Sequence, residues 1–192
     1  MTIFLILAPY GAFTFLMLVA PPVVSVFAAS LIALAVIALD AIRGRSLKIF
    51  GAGGALVFAA IGLYLALVEP SLAASKVRLA VDTGIFIVSV GSMLLRFPFT
   101  LQYALEAVPA ETAAIPGFLR ANYMITGAWA TASLLMMLSN LALLYVPGLP
   151  LWTSLLIAFA ARNSALYFTK WYPQYRERKY GAPPAGALPN AN

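Results

Sequence analysis

Three ionisable side chains lie within or at the edge of long apolar runs of this 192-residue chain, and they are the first candidates for chemistry: Asp40, Asp82 and Arg162. No charge precedes Asp40, and none occurs from Ala121 to Ala161. An ionisable group inside an apolar span marks an ion, proton or solute pathway unless it is paired or able to reach the surface. Arg162 falls about twelve residues into the last apolar run, ~18 Å deep at 1.5 Å per helical residue. Asp40 is at a depth that a long arginine side chain reaches, so an Arg162–Asp40 pair supported by Asn163 is expected, with snorkelling of Arg162 as the alternative. Asp82 follows Arg78 by four residues on the same helical face, which predicts a local ion pair, with an ion or proton site as the alternative.

Other chemistry has little to work with. The chain holds no His and no Cys, which removes imidazole acid/base catalysis, thiol chemistry and the commonest zinc, copper and haem ligands. Six acidic residues leave almost nothing for a hydrolase or metal-dependent transferase. No enzyme activity, cofactor or metal is expected. Gly51, Gly53 and Gly54 have neither a preceding strand nor a following Lys-Ser/Thr, so they are not a phosphate loop. Gly51, Ala55 and Ala59 read instead as a small-residue packing stripe, with Gly84 and Gly91 as further notches. Asn140, Ser133 and Ser139 are available for bonds between helices.

The elements that must carry these residues follow from hydropathy. The chain is 63% hydrophobic and 9% charged, whereas a soluble domain has roughly a quarter of its residues charged. A bilayer core of ~30 Å takes ~20 helical residues to cross. Breaks at Pro21-Pro22, Glu69-Pro70, Pro98 and Pro147-Gly148-Leu149-Pro150 predict an all-α bundle of about six spans, at 3–19, 23–42, 49–68, 76–97, 118–146 and 151–172. Between the fourth and fifth, Leu101, Ala104, Leu105 and Val108 recur at helical spacing, with Gln102 and Glu106 pointing elsewhere. They predict a short interfacial helix, a surface loop being the alternative. Residues 1–175 form one transmembrane domain. Residues 176–192 read as a cytoplasmic tail, disordered over its Pro- and Gly-rich end.

Basic residues set the orientation. With the N-terminus cytoplasmic, six spans put Arg43, Arg45, Lys48, Arg96, Arg120, Lys170, Arg176, Arg178 and Lys179 inside, and only Lys76 and Arg78 outside. That asymmetry satisfies the positive-inside rule. If the first segment is re-entrant, five spans keep the C-terminus cytoplasmic. The net charge of +6 therefore reads as topology and attraction to anionic head groups, not nucleic-acid binding.

A basic residue just before a proline, Arg96-Phe97-Pro98, is followed by the amphipathic stretch and then by an aromatic-x-basic-x-Asn run, Phe118-Leu119-Arg120-Ala121-Asn122. In these features and in its hydropathy pattern over most of residues 1–172, the chain resembles the intracellular septation protein A family of bacterial inner-membrane proteins. The resemblance implies a role in cell division, elongation or envelope integrity, exercised through other membrane proteins. Arg96, Pro98, Arg120 and Asn122 are then candidates for partner or lipid contact, and snorkelling anchors and a helix-start bond are their plainer roles. The expected protein is thus non-enzymatic and acts through membrane proteins, a second copy of itself or anionic lipid. A small transporter or channel, with a polar path lined by Arg162, Asp40 or Asp82, is the alternative.

Overall fold

In the computed structural model the structure describes residues 3–180, and these form eight helices with no strand among them. They are α1 (Ile3–Val19), α2 (Pro22–Ile42), α3 (Ile49–Leu67), α4 (Ala74–Leu94), α5 (Phe99–Ala107), the single turn α6 (Ala110–Ala113), α7 (Phe118–Tyr145) and α8 (Leu151–Tyr180). Four of them, α2, α3, α4 and α7, are long and apolar enough to cross a membrane. The Pro- and Gly-rich end of the expected tail lies outside the described residues.

Neighbours in sequence are neighbours in space. α2 packs between α1 and α3, α3 lies against α4, and α7 lies between α4 and α8. The row curls, so that α1 faces α4, α7 and α8 across a shared cavity. An aromatic cluster seals its middle: Tyr10 and Phe13 of α1 tilt onto Phe58 at 5.5 and 5.4 Å, and Phe50 stacks on Phe99 at 4.3 Å.

Polarity is distributed as it must be when lipid is the solvent. Leu56, Leu63, Leu67, Ile87 and Phe159 are each more than half exposed, while Ser25, Ser89, Ser92 and Thr126 are almost fully buried. The buried hydroxyls stay satisfied; Ser25 and Ser89, for example, donate to the carbonyls of Pro21 and Ile85 one turn earlier.

Close approach of α3 and α4 uses two reciprocal notches. Val88 fills the space over Gly53, and Val57 fills the space over Gly84. Gly91 has open space around it and Gly51 only ordinary contacts, so the notch expected at Gly91 is unused and Gly53 takes the larger part. A Cβ at Gly84 would lie 2.6 Å from Val57 Cγ1, and a β-branched side chain has no rotamer that escapes. Gly84→Ala should therefore destabilise the protein by about 1–3 kcal/mol. The midpoint of thermal unfolding in detergent measures this, and Gly84→Ala combined with Val57→Ala should recover most of the loss.

Two helix ends differ from the expected bounds by three residues or more. α4 stops at Leu94, not Phe97, because Arg96 adopts φ +60. The Phe97 and Arg96 N–H groups then bond the Ser92 and Met93 carbonyls, each at 3.0 Å, which is a Schellman closure. Pro98 begins the next element, so it does not end this one. α8 continues past 172 through Pro173 to Tyr180, although residues from 176 were expected to be tail. At this polar end the carbonyl freed by Pro173 can be solvated, and Arg176 Nη1 donates to the Gly117 carbonyl at the start of α7.

Candidate functional site

Two polar clusters interrupt the apolar bundle. The first is a chamber between α1, α4, α7 and α8, with a cavity of about 60 Å³. A water molecule needs ~10–15 Å³ measured this way, so the chamber has room for a few. Asp82 projects from α4, one turn after Arg78, Asn140 and Ser133 from α7, and Ser154 and Arg162 from α8.

A relay of hydrogen bonds ties three helices together there. Asn140 Nδ2 donates to Asp82 Oδ2 at 2.7 Å, Ser154 Oγ donates to Asn140 Oδ1 at 3.1 Å, and the Ser139 and Ser154 hydroxyls are 3.1 Å apart. The cations are less well served. Arg78 Nη2 donates to the Met17 carbonyl at 3.1 Å, and the hydrogen-bond partner of Arg162 Nη2 among the described residues is the weakly accepting Met136 Sδ at 3.8 Å. Two guanidinium groups thus share a low-dielectric chamber with one carboxylate, and neither makes a direct ion pair with it. Such a site has positive potential and unspent donors, which suits a small polar solute or ion carrying acceptor oxygens.

The second cluster lies at the opposite end, around the α2–α3 loop. Gly44 at φ +66 closes α2 in a Schellman turn, with the Arg45 N–H bonded to the Asp40 carbonyl at 2.9 Å. This turn carries the Arg45 side chain back to Asp40, with Nη1 3.5 Å from Oδ1. Next to it, α5 clasps the loop. Gln102 Oε1 accepts from the Ile49 N–H at 2.6 Å, capping one of the unpaired donors at the start of α3, and its Nε2 donates to the Leu47 carbonyl at 3.2 Å. Glu106 Oε1 accepts from Lys48 Nζ and from Ser46 Oγ, and Lys48 is almost fully buried. On its other side α5 is pinned to α7, where Thr100 Oγ1 donates to the Asn122 carbonyl at 3.0 Å and lies 2.8 Å from Thr126 Oγ1.

The hydrogen bond from Lys48, aided by those from Ser46, holds the Glu106 carboxyl below its ordinary pKa. The clasp is therefore complete above the unfolded carboxylate value of ~4.3 and is lost as pH falls through the lower folded value. Acid titration of the unfolding midpoint should show a fall below about pH 4.3 that Glu106→Gln lacks.

The expected residues divide as follows. Asp82 and Arg162 meet in the chamber. Asp40 does not pair with Arg162; it pairs with Arg45 and lines a second cavity, because the Schellman turn supplies a nearer cation. Asn163 is exposed and bonds the Phe159 carbonyl one turn back, so it supports neither. Arg78 turns to α1 in place of the expected pair with Asp82. Arg96 and Arg120 are exposed, while Pro98 and Asn122 are buried at the joints of α5 with α4 and α7. Gln102 and Glu106, expected to face away, grip the loop; their i,i+4 spacing puts both on one face, and that was the available signal. Tyr10, which borders both cavities, has no signal in a run of apolar residues.

Comparison with protein-family models, curated proteins and solved structures finds no match for this chain.

Proposed function

We propose that this is a non-enzymatic integral protein of a bacterial cytoplasmic membrane, crossing it six times with both ends inside, whose chamber binds and passes a small polar solute or ion. The observation that carries this reading is the convergence of Asp82, Asn140, Arg78 and Arg162 on one cavity in the interior of the bundle. Groups that are expensive in hydrocarbon are grouped, not scattered to the rims. The sixth crossing rests on the same geometry: Arg162 lowers the hydropathy of α8, yet it turns into the bundle and not toward lipid. α1, at 17 residues, reaches ~26 Å, close to the hydrocarbon thickness.

Proteoliposomes carrying the protein, challenged in turn with gradients of protons, alkali cations, halides and small carboxylates, test the reading. Flux above protein-free vesicles is expected for at least one of them. Background flux for all would remove it.

Exposure of Arg96 and Arg120 beside α5 favours a second reading, in line with the septation-protein resemblance. In it the protein maintains the envelope by contact with anionic lipid, other membrane proteins or a second copy of itself. Photocrosslinkers placed at positions 96 and 120 in living cells should capture a membrane protein or lipid if this is its work, and nothing above a lipid-buried control position if it is not.

A further inference from the structure

The Asp40 cavity carries a separate inference. It measures about 70 Å³ and lies between α1, the end of α2, the α2–α3 loop and Tyr103 of α5. Asp40 is 5% exposed, yet its Oδ1 and the facing Arg45 Nη1 are buried without any hydrogen-bond partner in the described structure. The 3.5 Å between them is an ion-pair distance but too long for a good hydrogen bond. A buried acceptor and a buried donor left side by side call for a third group that satisfies both.

Other features narrow what that group is. Pro9 of α1 lines the cavity and, having no N–H, offers it no donor. Lys48 also lines the cavity, its ammonium already held by Glu106. Ile6, Val36 and Ile37 make an apolar stretch of wall, Tyr10, Ser46 and Tyr103 add hydroxyl-bearing side chains, and the cavity is bordered by the exposed residues Ala41 and Leu47. Asp40 is two residues from the end of α2, at head-group depth. A ligand that fits has an N–H cation for Asp40, an anionic oxygen for Arg45 and an apolar body.

We propose that this cavity binds the head group of a phospholipid with a primary ammonium, a phosphatidylethanolamine, in the leaflet next to the α2–α3 loop. The ammonium donates to Asp40 Oδ1, the phosphate accepts from Arg45 Nη1, and the acyl chains leave past Ala41 and Leu47. The inference does not rest on solute passage, and flux measurements do not bear on it.

Native mass spectrometry of the full chain, delipidated and exposed in turn to phosphatidylethanolamine, phosphatidylcholine and phosphatidylglycerol at one concentration, is the test. Phosphatidylethanolamine should be retained about tenfold better than phosphatidylcholine, whose quaternary ammonium has no N–H to give, the effect of one hydrogen bond to a charged group. It should also exceed phosphatidylglycerol, which has no cation. Asp40→Asn should erase the preference. The lipid series on the unaltered protein decides the matter even if that variant fails to fold. Equal retention of the three lipids would overturn the proposal. Equal binding of soluble glycerophosphoethanolamine would also overturn it, by assigning the cavity to a free zwitterion and not to a lipid.

Discussion

Arg162→Leu is expected to make the protein more stable and abolish solute passage. A charged residue at the centre of a membrane helix costs ~2.5–3.5 kcal/mol on insertion scales, and that cost is offset only where the charge finds strong partners. Arg162 has not found them: Met136 Sδ at 3.8 Å is a weak acceptor, and Asp82 is engaged by Asn140. Leucine removes the cost and fits the apolar wall of Leu155 and Ala158 beside it. The unfolding midpoint in detergent should rise by the equivalent of about 1–3 kcal/mol, while flux in proteoliposomes falls to that of protein-free vesicles. A residue kept against the stability of its own fold is kept for function. A lower midpoint with undiminished flux would assign Arg162 a structural role and end the chamber's claim.

Glu106→Ala should do the opposite, with a loss of about 2–3 kcal/mol in stability. The Lys48 side chain is 3% exposed, and without Glu106 its ammonium retains the Ser46 carbonyl and hydroxyl, at 3.0 and 3.2 Å, and the face of the Tyr103 ring at 5.8 Å, none of which carries a formal negative charge. Removing one partner of a fully buried pair costs ~3–5 kcal/mol, and the value here is lower because Glu106 stands at the open edge, where water can replace part of it. The α2–α3 loop, the start of α3 and α5 should loosen together, since Gln102 bonds the same loop. Hydrogen exchange localised to residues 44–50 and 99–107 would register this, alongside the unfolding midpoint. A Lys48→Met, Glu106→Ala double variant should recover part of the stability, because it leaves no buried charge unpaired. Equal midpoints for Glu106→Ala and the unaltered protein would show that the clasp contributes nothing.

Hydropathy and proline placement made the helices legible. Pro21-Pro22, Glu69-Pro70 and Pro147 to Pro150 separate helices within a few residues of where they were expected, because a missing N–H acts locally. The end of α4 was not legible. Arginine carries no sign of a left-handed conformation, and only the two carbonyls it closes on reveal it. The polar sites were half legible for a related reason. Asp82, Arg162 and Asn140 announce themselves by rarity in an apolar run, but which of them meet depends on how far the row of helices curls. The Arg162–Asp40 pairing failed on a local competitor: Gly44 lets the chain turn back so that Arg45 reaches Asp40 first. Lys48 and Glu106 went unpaired in the sequence because each reads equally well as a solvated rim charge, and fifty-eight residues separate them.

The central claim is that water enters the bundle at Asp82 and Arg162, and thiol accessibility tests it most directly. The chain has no Cys, so Ser133→Cys and Ser154→Cys each place one thiol in the chamber wall without altering the background. Leu156→Cys and Ile87→Cys place it on outward, exposed faces. In intact membranes a charged, membrane-impermeant thiosulfonate should modify the two chamber positions from the side opposite the α2–α3 loop, and saturating halide or carboxylate should slow it. The two outward positions should stay unmodified, because a thiol in lipid neither ionises nor meets the reagent. Modification of Ser133→Cys and Ser154→Cys no faster than of Leu156→Cys would mean a dry interior, and the proposed path through the chamber would be contradicted.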